Sequence, residues 1–152
     1  TVKILKTLSS IFFIAALLLT YSYTVGKVNV YLDMEKVNLM NVGHLFFYAL
    51  GAFALVNVLF LVFDRFLMKY RARKVKSTKV LYSDKFRSWL QGFNTAINLF
   101  LASSIGFIGF LNADADFKLL DFTFLLYIGP FAILIALLTL PLVFIPGKKT
   151  MN

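Results

Sequence analysis

The chain contains no cysteine. Disulfides, thiolate metal sites and thiol catalysis are therefore excluded. A single histidine, His44, excludes any site built on two imidazoles, such as a bis-histidine haem. Charge is scarce too. Only 15% of the 152 residues are Asp, Glu, Lys or Arg, and just 7 are acidic. A soluble domain carries about 25% charged and about 45–50% apolar residues. Here the hydrophobic share is 60%, with 18 Phe and 7 Tyr. So much apolar surface does not fit one water-soluble core of this length, and it excludes disorder. The common catalytic motifs are also missing: no Gly-rich phosphate loop, no nucleophile elbow, no HExxH. No enzyme activity, cofactor or metal site is expected.

Charge is absent altogether from four long runs. These are Thr7–Gly26, Val37–Phe63, Ser88–Ala113 and Phe122–Gly147, of 20, 27, 26 and 26 residues. A helix needs about 20 apolar residues to cross a hydrocarbon core about 30 Å thick. A membrane strand needs only about 9–11, alternating in polarity, and these runs do not alternate. Backbone groups in lipid bond within their own segment, which leaves helices. The sequence predicts an all-α polytopic membrane protein. It is read as a single domain over residues 1–152, an antiparallel bundle with helices over about 3–23, 43–70, 84–112 and 121–145. A basic cytoplasmic loop is expected over about 69–83. The first run has Lys3 and Lys6 ahead of it, as a signal peptide would, but it ends in Thr20-Tyr21-Ser22-Tyr23 without a small-x-small cleavage site. It is read as a retained helix.

Lys and Arg set orientation. Thirteen fall in the two tails and the central segment from Arg65 to Arg87, and three in the two remaining loops. Both termini and the basic loop are expected in the cytoplasm. The composition resembles that of small four-span proteins from AT-rich bacterial genomes, which implies a bacterial inner membrane. In the first outer loop, Val28–Leu32 alternates and Asp33–Lys36 offers a turn into Val37-Asn38-Leu39. A hairpin and an irregular loop on the headgroups fit this equally well. Gly129-Pro130 predicts a kink in the fourth helix, Pro141 a second one, and Pro146-Gly147 its end.

Polar residues inside spans are costly and often functional. No carboxylate or base lies deep in any run, which argues against proton pumping. What remains is Asn57 in the second span, with Asn94 and Asn98 in the third. Asn57 lies seven residues before Asp64, and Asn94 seven after Arg87, so antiparallel helices bring them to one depth. An interhelical hydrogen bond, worth about 0.6 kcal/mol and at most roughly 2, is the economical explanation. A polar step in a permeation path or a quinone contact is the functional one. Ala102, Gly106, Gly109 and Ala113 form a stripe of small residues at i, i+4, i+7 and i+11. Such a face admits a close helix. The spacing does not choose between the second span, the fourth and another protein, although Gly51 and Ala54 offer a receiving face.

His44 reads as an interfacial polar residue, and Asp114 and Asp116 as too few oxygens for a metal. Arg71, Arg73, Lys74, Lys76 and Lys79 are expected to meet anionic lipid or an acidic partner. That explains the net charge of +9 without nucleic acid. The function expected is a non-catalytic subunit of a larger inner-membrane complex (respiratory, secretion or transport), packed against other membrane subunits. The alternative is a small homo-oligomeric channel or transporter with a polar path along the third helix.

Overall fold

The computed structural model describes residues 2–73, 84–113 and 122–144. It is mostly helical. In chain order it has α1 (Val2–Thr24), β1 (Asn29–Tyr31), β2 (Leu39–Asn41), α2 (Val42–Arg73), α3 (Asp84–Leu111), α4 (Leu125–Leu138) and α5 (Leu140–Phe144). Four stretches are long and apolar enough to cross a membrane: Ile4–Thr24, Val42–Lys69, Asp84–Leu111 and Leu125–Phe144.

α3 is the hub. In the apolar 18-residue stretch of each span, 56% of residues are buried in α3, against 22% in α1 and 6% each in α2 and in Leu125–Phe144. α1 and α4 pack against it most extensively, and α2 touches it more sparsely. Residue pairings give the directions. Thr20 meets Ile105 and Lys6 lies near Gln91, so α1 runs the same way as α3. Asp64 meets Arg87 and Asn57 meets Asn98, so α2 runs the opposite way. Trp89 meets Ala136 while Gly129 meets Phe100, which sets α4 opposite to α3 as well. A small core of Phe13, Val30, Leu45, Ala102 and Ile105 sits between α1, α2, α3 and the hairpin. Phe13 stacks flat on Phe53 there, centroids 4.3 Å apart.

α1 carries hydroxyls through apolar surroundings by bonding them to its own backbone: Ser9 to the Lys6 carbonyl at 2.8 Å and Thr24 to that of Thr20 at 2.8 Å. Gly26, at φ +84°, turns the chain out of the helix, a backbone region closed to most side chains. α2 continues to Arg73, past the expected end at 70, since nothing in Tyr70-Arg71-Ala72-Arg73 breaks a helix. The fourth span is helical through Pro130 but interrupted at Thr139. Pro141 explains the break, having no N–H to offer the preceding turn. Pro146-Gly147 lies outside the described residues.

Of the two equal expectations for the first loop, the hairpin is found. β1 and β2 pair antiparallel, with Val30 opposite Met40 and Tyr31 opposite Leu39. Asp33 organises its turn. Its carboxylate accepts the backbone N–H of Val37 at 3.0 Å and of Asn38 at 3.3 Å, and the Asn38 side-chain amide as well. Desolvation pushes the Asp33 pKa up, but the hydrogen bonds from Val37 and Asn38 outweigh it and the net direction is down. A folded pKa below the unfolded one means the turn is held above about pH 4 and loosens as pH falls through the folded value. An NMR titration should therefore place the Asp33 carboxyl midpoint below that of the same turn as a denatured peptide. The Val37 and Asn38 amide shifts should move with it. An unshifted midpoint would mean the turn does not depend on this carboxylate.

Candidate functional site

Helix approach is closest along the small face of α3. Ala102, Gly106 and Gly109 are all buried. A Cβ on Gly109 would lie 2.6 Å from Thr20 Oγ1 and 3.0 Å from Thr20 Cα, and one on Gly106 would lie 3.8 Å from Ala16 Cβ. The arriving helix is thus α1, which presents Ala16 and Thr20 four residues apart. Thr20 Oγ donates a proton shared between the carbonyls of Ala16 at 2.8 Å and Ile105 at 2.7 Å. Gly51 and Ala54 do not receive the stripe: both are exposed, and nothing stands within 4 Å of a Cβ built on Gly51. The correction has a simple cause. A small-residue pattern says that something comes close, not what. Ala113 lies just past the helix, half-buried, its N–H on the Phe110 carbonyl at 3.2 Å.

A second close approach was not anticipated. A Cβ on Gly129 would stand 2.6 Å from Phe100 Cα, so α4 rests backbone to backbone on α3. Trp89 Nε1 fixes the neighbouring turn by donating to the Ala136 carbonyl at 2.7 Å. The sequence signal was there, in the glycine of Gly129-Pro130, but it reads more readily as part of a kink.

The polar residues converge at the basic end, where Lys6, Asp64 and Arg87 lie. Asn57 Nδ2 donates to Asn98 Oδ1 at 3.0 Å and to its own helix at the Phe53 carbonyl at 2.9 Å. Asn57 Oδ1 accepts from Asn94 and from Asn98, both at 3.3 Å. The three carboxamides therefore form one network pinning α2 to α3. Two turns nearer the end, Arg87 grips Asp64 through two parallel bonds, Nε to Oδ1 at 2.6 Å and Nη2 to Oδ2 at 2.9 Å. Asn94 Oδ1 is buried with no hydrogen-bond partner. Asn94 also lines a small cavity of about 120 Å³ shared with Lys6, Asp64 and Gln91. Carboxamides neither titrate nor attack at ordinary pH. The three carboxamides themselves can bind and align.

Other expected sites separate. His44 is exposed beside the Tyr48 ring, centroids 6.1 Å apart. Arg71 and Arg73 belong to the last turn of α2. Lys74, Lys76, Lys79, Asp114 and Asp116 lie outside the described residues.

Asn112 is the residue that sequence reasoning missed. Its Oδ1 accepts the Tyr31 N–H at 2.8 Å and its Nδ2 donates to the Tyr31 carbonyl at 2.9 Å, so one side chain imitates a neighbouring strand. Lys27 Nζ adds a bond to the Asn112 carbonyl. The hairpin is thereby clamped to the end of α3. In the sequence Asn112 marks only a helix boundary. Set beside known proteins, the chain matches no family model, no curated protein and no solved structure.

Proposed function

We propose that this chain is a non-catalytic, multi-pass subunit of a larger bacterial inner-membrane assembly. Its four long helices form an antiparallel transmembrane bundle, with both termini and the basic segment between α2 and α3 in the cytoplasm. Its role is to pack against other membrane subunits and hold them. One observation carries most of this reading: in the apolar stretches of α2 and of Leu125–Phe144 only 6% of residues are buried, while α3 is wrapped. Phe47, Leu50, Leu55, Val58 and Val62 line α2 in exposed positions. Such faces are untenable in water, natural in lipid, and ready for neighbouring helices. The small-residue face is occupied by α1, so a partner subunit would meet α2 or α4 instead. The channel alternative has less to support it. α3 is the covered helix, its Asn residues bond to Asn57, and the Phe13–Phe53 stack lies beyond them.

Extraction from native membranes in mild detergent, with mass spectrometry of what copurifies, tests the proposal. Stoichiometric foreign membrane subunits are expected. A pure homo-oligomer would overturn the proposal and leave the channel.

A further inference from the structure

At the basic end, α2 and α3 enclose an open groove of about 370 Å³. Its walls are Leu59, Phe60 and Phe63 from α2, and Phe86, Trp89 and Phe93 from α3, with almost no polar surface. The α3 rings form a ladder. Phe86 stacks on Trp89 at 5.7 Å, and Trp89 on Phe93 at 5.3 Å and 8°. The bond from Trp89 Nε1 to the Ala136 carbonyl keeps the middle ring in place. Asp64 and Arg87 each follow a wall residue, Phe63 and Phe86, by one position, so the ion pair lies level with the basic end of the groove, beside its walls rather than among them. The Arg87 side chain is 37% exposed. A guanidinium has five N–H donors, and Asp64 takes two of them. The rest can donate to a second anion while the carboxylate holds the fork in orientation. Arg65 and Lys69, both exposed, and Lys85, one turn before Trp89, add positive charge at the same end, set against the exposed Asp84.

We propose that this groove is a binding site for one acyl chain of an anionic phospholipid, whose phosphate sits on Arg87. An apolar trough with a preoriented cation beside it matches both parts of that amphiphile. A zwitterionic lipid offers the same chain and phosphate but no net charge to the surrounding bases. The site rests on the membrane insertion proposed above.

The test uses the full chain, delipidated in detergent. Native mass spectrometry counts the lipid retained after addition of phosphatidylglycerol or of phosphatidylcholine with identical acyl chains. Phosphatidylglycerol should be retained about fivefold better, the effect of one basic residue near an anionic headgroup. Leu59→Trp, a change at an exposed wall position, fills the trough and should remove the preference. Arg87→Lys keeps a cation for Asp64, loses the fork, and should lower it. Equal retention of the two lipids in the unaltered chain, or a preference that survives Leu59→Trp, overturns the site. Flotation with phosphatidylcholine vesicles reads insertion separately. A chain that floats without preferring phosphatidylglycerol loses this site alone, and one that does not float loses the membrane proposal too.

Discussion

Gly109→Ala should destabilise the protein by about 1–3 kcal/mol, the usual cost of overpacking, while Gly106→Ala should be nearly silent. The same methyl is added three residues apart on one face of α3. At Gly109 it would fall 2.6 Å from Thr20 Oγ1 and 3.0 Å from Thr20 Cα. A flexible side-chain end yields cheaply, but a backbone atom does not, so α1 must move as a unit. The move also strains the bond from Thr20 Oγ to the Ile105 carbonyl, now 2.7 Å. At Gly106 the methyl meets Ala16 Cβ at 3.8 Å, an ordinary contact. Hydrophobicity and helix propensity change equally in the two variants, so only geometry separates them. Thermal unfolding in detergent, followed by size-exclusion profile, measures the difference. Identical midpoints for the two variants would show that α1 does not lie where Thr20 places it.

The second large effect is expected at Asn57. Asn57→Leu removes the common partner of Asn94 and Asn98, whose exposures are 1% and 0%. Their amide groups are then left buried and unpaired, at about 1–3 kcal/mol for each unsatisfied group. A loss of roughly 2–6 kcal/mol follows. Asn98→Leu in the Asn57→Leu background should cost far less than it does alone, because it removes a group already stranded. The coupling is read from a double-mutant cycle of unfolding free energies in micelles. Strict additivity of the two changes would mean the carboxamides do not act as a network.

Much of the architecture was legible because lipid-scale helices announce themselves by length and missing charge. Residues 7–26 or 37–63 need no partner to be recognised. What stayed hidden depends on who meets whom. The level of Asn57 against Asn94 followed from counting to Asp64 and Arg87, because opposed helices share a ruler. Thr20 against Gly109 followed from no such count, since α1 and α3 run the same way and are not consecutive. In the sequence Thr20 marks only the polar end of the first run. The hairpin has a weak sequence signature because three-residue strands give period-2 patterning too few repeats to stand out. Asn112 was invisible because its partner is the backbone of Tyr31, and a backbone carries no sequence signature.

The shared proton of Thr20 also bears on the order of assembly. Ile105 is 85 residues downstream of Thr20. At about 5–20 residues per second, a ribosome delivers Ile105 roughly 4–17 s after Thr20. During that interval the first helix has no third helix to lie against. Its hydroxyl is nevertheless satisfied, because the Ala16 carbonyl accepts it within the same turn. In the membrane arrangement proposed above, the first span therefore waits without an orphaned donor. It exchanges a local bond for a bifurcated one when its partner emerges, so this contact waits on synthesis of the third span rather than the second.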